Sequence, residues 1–181
     1  MLSQSFAYIG ASLLPFRYVT KIAALVLAAT LLVTVSGSLG APATAQAVGA
    51  NARRAQVVNK ALSQIGTKYR YGAESPKKGF DCSGLVKWAF ESQGVTLPHS
   101  SLMQFQLAGS KGFKRIWSRK SLIKGDLVFF KTSKGAKIGH VGIYMGAGKM
   151  INSRTGGVQV DNIYDPYYWN KRYVGATRVF F

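Results

Sequence analysis

The chain is poor in the residue types from which cross-linked and catalytic sites are built. Its 181 residues include one cysteine, Cys82, two histidines, His99 and His140, and six acidic residues against 24 basic ones. A single cysteine excludes an internal disulfide. One Cys and two His far apart in sequence make a poor zinc site, so no metal and no cofactor are expected. Six carboxylates offer no obvious acid pair for glycoside hydrolysis, and neither H-E-x-x-H nor G-x-S-x-G occurs. No internal repeat is visible. The apolar run from Ile22 to Val35 is shorter than the roughly 20 residues needed to cross a bilayer.

What the first 47 residues do contain is a leader pattern. Lys21 precedes the apolar run, and small residues follow, with Ala43-Thr44-Ala45 and Ala45-Gln46-Ala47 both offering an A-x-A cut. A basic start, a short apolar stretch and small residues at the end describe a secretory signal peptide. The expectation is therefore a signal over residues 1–47 and one domain over 48–181, secreted to the cell wall or periplasm, with no stable membrane span after cleavage. Arg17 and Lys21 leave with the signal, so the formal charge falls from +18 to +16. Such a charge first suggests nucleic acid. Export argues against that partner and in favour of anionic cell-wall polymers, because the basic residues are scattered from Arg53 to Arg178.

Periodicity divides the remaining chain into a helical half and a strand-rich half. Ala55, Val58, Ala61, Leu62 and Ile65 recur at helical spacing, predicting a helix over 51–65 capped by Asn51 and ended by Gly66. Leu85, Val86, Ala89 and Phe90 predict a second helix from Cys82 to Gln93. Val95 to Pro98 reads as short and extended, and Ser100 or Ser101 starts a brief third helix through Leu107. Lys111 to Lys124 reads as irregular. Strands are expected at 126–131, 139–145, 149–152, 158–160 and 173–180, separated by glycine turns. Helices first and meandering strands after give an α+β class, with helices packed on one antiparallel sheet.

A free thiol in an exported protein is either reactive, an intermolecular link or an inert buried group. Asp81 stands where an N-cap belongs, placing Cys82 in the first helical turn, where unpaired N–H groups and the helix dipole favour a thiolate. A thiol nucleophile needs a base, and the base needs an orienting partner. His140 lies on a strand beside Gly139 and Gly142, with room for its ring. Asn152 follows within hairpin range, and its oxygen could accept the Nδ1–H of His140.

Several ordered segments carry a resemblance. Lys68-Tyr69-Arg70-Tyr71-Gly72, Gly79-Phe80-Asp81-Cys82-Ser83-Gly84-Leu85-Val86 and Leu97-Pro98-His99-Ser100-Ser101, ending at Gln104, are followed by Gly125-Asp126-Leu127-Val128-Phe129-Phe130 and His140-Val141-Gly142-Ile143-Tyr144. With the closing Tyr168 to Ala176, they resemble the successive signatures of the NlpC/P60 cysteine peptidases, from about Val57 to Phe181. The resemblance implies a papain-like α+β fold and hydrolysis of amide bonds in peptidoglycan stem peptides, commonly between γ-D-glutamate and a diamino acid. It implies Cys82 as nucleophile, His140 as base and Asn152 as orienting residue, where the family more often has His. It further implies an oxyanion role for Tyr69 and substrate contacts for Asp81 and Ser83. His99 replaces a frequent Arg. Alternatives left open are a cross-link-cleaving D,D-endopeptidase, an acyltransferase or amidase on the same scaffold, and a catalytically inactive wall-binding module.

Overall fold

The computed structural model describes residues 43–110, 112–131 and 137–181. The expected leader lies outside the described residues except for its last few positions. These belong to the first helix, α1, which spans Ala43–Leu62 rather than the expected 51–65. Asn51 is therefore not a cap: it sits inside α1, where its side-chain oxygen accepts from Arg54. At the other end the chain leaves the helix before Gly66, whose N–H donates to Val158 O across the fold, and Ile65 is exposed. The helix thus ends at Leu62, four residues before Gly66, through the turn bonds Gln64 N–H to Ala61 O and Ile65 N–H to Leu62 O.

Two short strands, β1 (Glu74–Ser75) and β2 (Gly79–Phe80), pair antiparallel ahead of α2 (Cys82–Glu91). The start of α2 follows directly from its sequence. Asp81 is extended at φ −87° and ψ 179°, and its carboxylate accepts from Gly84 N, satisfying an orphan donor of the first turn. Leu85, Val86, Ala89 and Phe90 are fully buried on its inner face. Ser100 caps α3 (Ser101–Gln106) in the same way.

The remaining strands are β3 (Lys114–Ile116), β4 (Leu127–Lys131), β5 (Ile138–Gly146), β6 (Lys149–Arg154), β7 (Gly157–Asn162) and β8 (Tyr173–Arg178). They form one antiparallel sheet in the order β3-β8-β4-β5-β6-β7. The α+β expectation holds. The segment before Lys124 differs from the irregular reading, because it contributes edge strand β3 and a 3₁₀ turn at Arg119–Ser121. The charged Lys114-Arg115 pair masked a strand with only Ile116 buried.

Alternation along the strands gives the sheet two filled faces. Leu127, Phe129, Val141, Ile143, Ile151 and Val158 pack with α1 and α2 in the larger core. Val128, Phe130, Tyr144, Met150 and Ala176 face the other way, under Ile163 and Trp169. Asp126 anchors the junction. Its fully buried carboxylate takes both Arg178 donors at 2.8 Å and the Ile123 N–H at 2.9 Å. None of the helices described is long and apolar enough to cross a membrane.

Candidate active site

Cys82 opens α2 at the base of a cleft of about 440 Å³, shared with Tyr69, Tyr71, Asp81, Ser83 and His99. The residue keeps partial exposure to the cleft. Its sulfur is hydrogen-bonded by the backbone of Val141, Ser83 and Cys82 itself, which favours the thiolate. Val141 immediately follows His140, so the helix start and strand β5 meet at the thiol. Burial nevertheless pushes the Cys82 thiol up to about 11, and the nearby Asp81 charge adds to that. The expectation that the helix start favours a thiolate is thus corrected: the donors are present, but desolvation outweighs them.

His140 lies on β5 with its ring against an aromatic cluster, at centroid distances of 4.9 Å from Trp169 and 6.3 Å from Phe130. Burial lowers it to about 4, against the opposing effect of the Asn152 hydrogen bond and the Asp161 charge. The Cys82 thiol and the His140 imidazole therefore both rest uncharged near neutral pH. His140 also borders a second cavity of about 340 Å³, on the side of Asp165 and Tyr168.

Asn152 meets His140 as the hairpin spacing predicts, but through the other ring nitrogen. Nε2 lies 3.0 Å from Asn152 Oδ1, so Nε2 carries the proton and Nδ1 is left free as the acceptor. The sequence expectation of an Nδ1–H bond is corrected on this point. Asn152 is fully buried, and its amide orientation is fixed by two acceptors on β7, Gln159 O at 3.3 Å and Asp161 Oδ2 at 2.9 Å. The glycine at 142 makes the approach feasible, since a Cβ there would lie 3.2 Å from Asn152 Cβ.

The residues flanking the thiol are tied into the wall of the cleft. Asp81 is 6% exposed and accepts from Gly84 N at 2.7 Å, Ser83 Oγ at 3.0 Å and Gly72 N at 2.8 Å. His99 Nε2 lies 2.9 Å from both Asp81 oxygens, while its Nδ1 lies 3.0 Å from Glu74 Oε2. Both of these contacts are hydrogen bonds at once only when both ring nitrogens carry protons. His99, whose part the sequence left open, is thereby a strut between β1 and the Asp81 cap. Tyr69 is 38% exposed at the cleft, and burial together with the Cys82 and Asp81 charges raises its pKa, which keeps its hydroxyl protonated as a donor.

Two participants went unnoticed in the sequence. Gln104 is fully buried and donates to Ser83 O at 3.1 Å and Pro98 O at 2.8 Å, holding the His99 loop against the start of α2. Asp161 is the second, and the scarcity of acidic residues was the only available signal for it.

The chain and its fold are similar to those of characterised proteins. The chain is 41% identical over 125 residues to the murein DD-endopeptidase MepH of Escherichia coli K12, covering 67% of this chain and 44% of that protein. It is 40% identical to the bifunctional muramidase/DL-endopeptidase CwlT of Bacillus subtilis 168, covering 68% and 36%. The chain thus spans less than half the length of these two relatives. Among solved structures, an NlpC/P60 family protein from Bacillus cereus ATCC 10987 matches with a TM-score of 0.61 at 30% identity, covering 70% of this chain and 40% of that one. The NlpC/p60 domain of the peptidoglycan hydrolase SagA matches with a TM-score of 0.55 at 26% identity, covering 70% and 98%. These domains share the papain-like α+β architecture described above. With the NlpC/P60 family model matching residues 66–178 in addition, the chain belongs to the NlpC/P60 family of cysteine peptidases.

Proposed function

We propose that the chain is an exported peptidoglycan endopeptidase that cleaves stem-peptide amide bonds, using Cys82 as nucleophile, His140 as base and Asn152 as its orienting residue. The observation that carries this reading is the bond from His140 Nε2 to Asn152 Oδ1, which frees Nδ1 at the strand position next to the thiol-binding Val141 N–H. The proposed leader of residues 1–47 would be cut within α1. Ala50, a buried core residue of that helix, stays in the mature domain.

In the cycle, the Cys82 sulfur attacks the amide carbonyl while its proton passes to His140 Nδ1. Transfer during attack suits a pair that rests neutral, because burial disfavours a standing ion pair. The tetrahedral oxyanion accepts hydrogen bonds from backbone N–H at the helix start and from the Tyr69 hydroxyl. His140 then protonates the leaving amine as the C–N bond breaks, giving an S-acyl enzyme. Water attacks the thioester with His140 as base, releasing the carboxylate product and restoring the thiol. Asp81 and Ser83 shape the cleft beside the acyl group, with most of the Asp81 lone pairs already engaged.

The preferred bond is γ-D-glutamyl–diamino acid. A relative at 34% identity is a gamma-DL-glutamyl hydrolase of Bacillus subtilis 168, and CwlT carries a DL-endopeptidase activity. The second reading, a cross-link-cleaving D,D-endopeptidase, is favoured by the similarity to MepH. Digesting purified peptidoglycan with the protein and identifying the muropeptides by mass spectrometry separates the two. Cys82→Ala is expected to release no fragments. Undiminished release by that variant refutes the mechanism, and the absence of release by the unaltered protein would favour a wall-binding role.

A further inference from the structure

A hydrogen-bonded chain runs behind His140 across three strands. From β5, His140 Nε2 lies 3.0 Å from Asn152 Oδ1 on β6. From β6, Asn152 Nδ2 donates to Asp161 Oδ2 on β7 at 2.9 Å. Asp161 in turn receives Arg154 Nε at 2.8 Å and Arg154 Nη2 at 3.0 Å, one on each carboxylate oxygen. The Asp161 side chain is only 14% exposed, and the arginine hydrogen bonds lower its pKa against the effect of burial, so it stays ionised. A primary amide has one acceptor and one donor end, and nothing in its shape prevents it from turning over. At this site an anion waits at one end, which accepts protons and offers none. The donor end must face Asp161, and the acceptor end is thereby directed at His140.

We propose that Asp161 is a positioning residue that acts through Asn152 to select the Nε2–H tautomer of His140, leaving Nδ1 free to take the thiol proton. This deepens the reading of His140 as the base and rests on it. A neutral amide alone fixes a ring's direction but is indifferent to which of its ends does so. The half-buried carboxylate, the nearer of the two acceptors of Asn152 Nδ2 at 2.9 Å against 3.3 Å for Gln159 O, removes that freedom and places a negative charge within reach of the imidazolium that forms during attack. Arg154 holds Asp161 bidentately and keeps the carboxylate from turning away. The other polar groups lining the cavity beside His140 are Thr155, Asp165 and Tyr168. The Asp165 carboxylate is engaged by the N–H groups of Tyr167 and Tyr168.

The test reads the tautomer directly. Imidazole nitrogen chemical shifts of the ¹⁵N-labelled protein near neutral pH are expected to show His140 as Nε2–H alone. Asp161→Ala is expected to add an Nδ1–H population, to slow alkylation of Cys82 by iodoacetamide, and to lower kcat by about ten- to a hundredfold with KM held within about twofold. Asp161→Asn retains an acceptor for Asn152 and is expected to recover the Nε2–H tautomer and part of the lost kcat. If Asp161→Ala does not fold because Arg154 loses its partner, the double variant Arg154→Ala/Asp161→Ala removes both charges and carries the same reading. A pure Nε2–H signal in whichever of these alanine variants folds overturns the proposal. The spectrum needs no peptidoglycan, so it stands apart from the outcome with Cys82→Ala.

Discussion

Gly142 and Asn152 face each other so closely across β5 and β6 that a Cβ on Gly142 would lie 3.2 Å from Asn152 Cβ and 2.8 Å from Met150 Sδ. The glycine two residues beyond His140 therefore makes room for the Asn152 amide. Gly142→Ala is expected to push Asn152 away from His140 and cut kcat about tenfold or more, since small misplacements at a reacting centre are costly. The stability loss should stay near 1–3 kcal/mol, as for other overpacked cores. Activity assays beside denaturant titration check both numbers; wild-type kcat would remove the steric argument.

Burial holds His140 at about 4 and Cys82 at about 11, which sets the pH profile. The proposed step needs neutral imidazole and protonated thiol, so kcat/KM should rise with pH through about 4 and then stay level across neutrality. An acid limb near 6.5 instead would mean that the imidazole is not desolvated in the working enzyme.

Stability carries the same signature with a definite sign. Between about pH 6.5 and 4 an unfolded His140 binds a proton that the folded one does not, so stability falls as pH drops through that window. The loss is of order 3 kcal/mol and is complete near pH 4; above 6.5 it is absent. His140→Gln should lack this component when both proteins are unfolded by urea across the acid range.

Asp126 tests the scaffold separately from the site. Its carboxylate is wholly buried against Arg178, and removing one partner leaves an uncompensated charge. Asp126→Ala is expected to cost about 3 kcal/mol or more by chemical denaturation. The specific activity of the folded fraction at low temperature should match wild type, because Asp126 lies outside the cleft.

The formal charge of +18, or +16 after the proposed cleavage, predicts retention on anionic wall polymer. Attraction between exposed charges is screened over about 10 Å at 0.1 M salt and about 3 Å at 1 M. Co-sedimentation with purified walls should therefore fall steeply as salt is raised. Salt-independent sedimentation would exclude electrostatic retention.

Much of this protein could be read from local sequence. The Asp81 cap, the Cys82 helix start and the apolar stripe of α2 depend on neighbours within one or two turns, so short-range spacing was enough to place them. The strand carrying His140 and the hairpin bringing Asn152 back also follow from alternation and a glycine turn. What tertiary structure decided is the chemistry of those same residues. Which imidazole nitrogen meets Asn152 depends on how two strands face each other, and Gly142 controls that distance from the opposite strand. The protonation of Cys82 depends on burial, which the helix-start pattern does not reveal. Asp161 and His99 acquire roles only through partners brought together by pairing of β6 with β7 and by the packing of the His99 loop on the Asp81 cap. Local pattern determined which groups exist and on which elements they ride. Desolvation and cross-strand geometry, which sum over the whole fold, decided their charge and their direction.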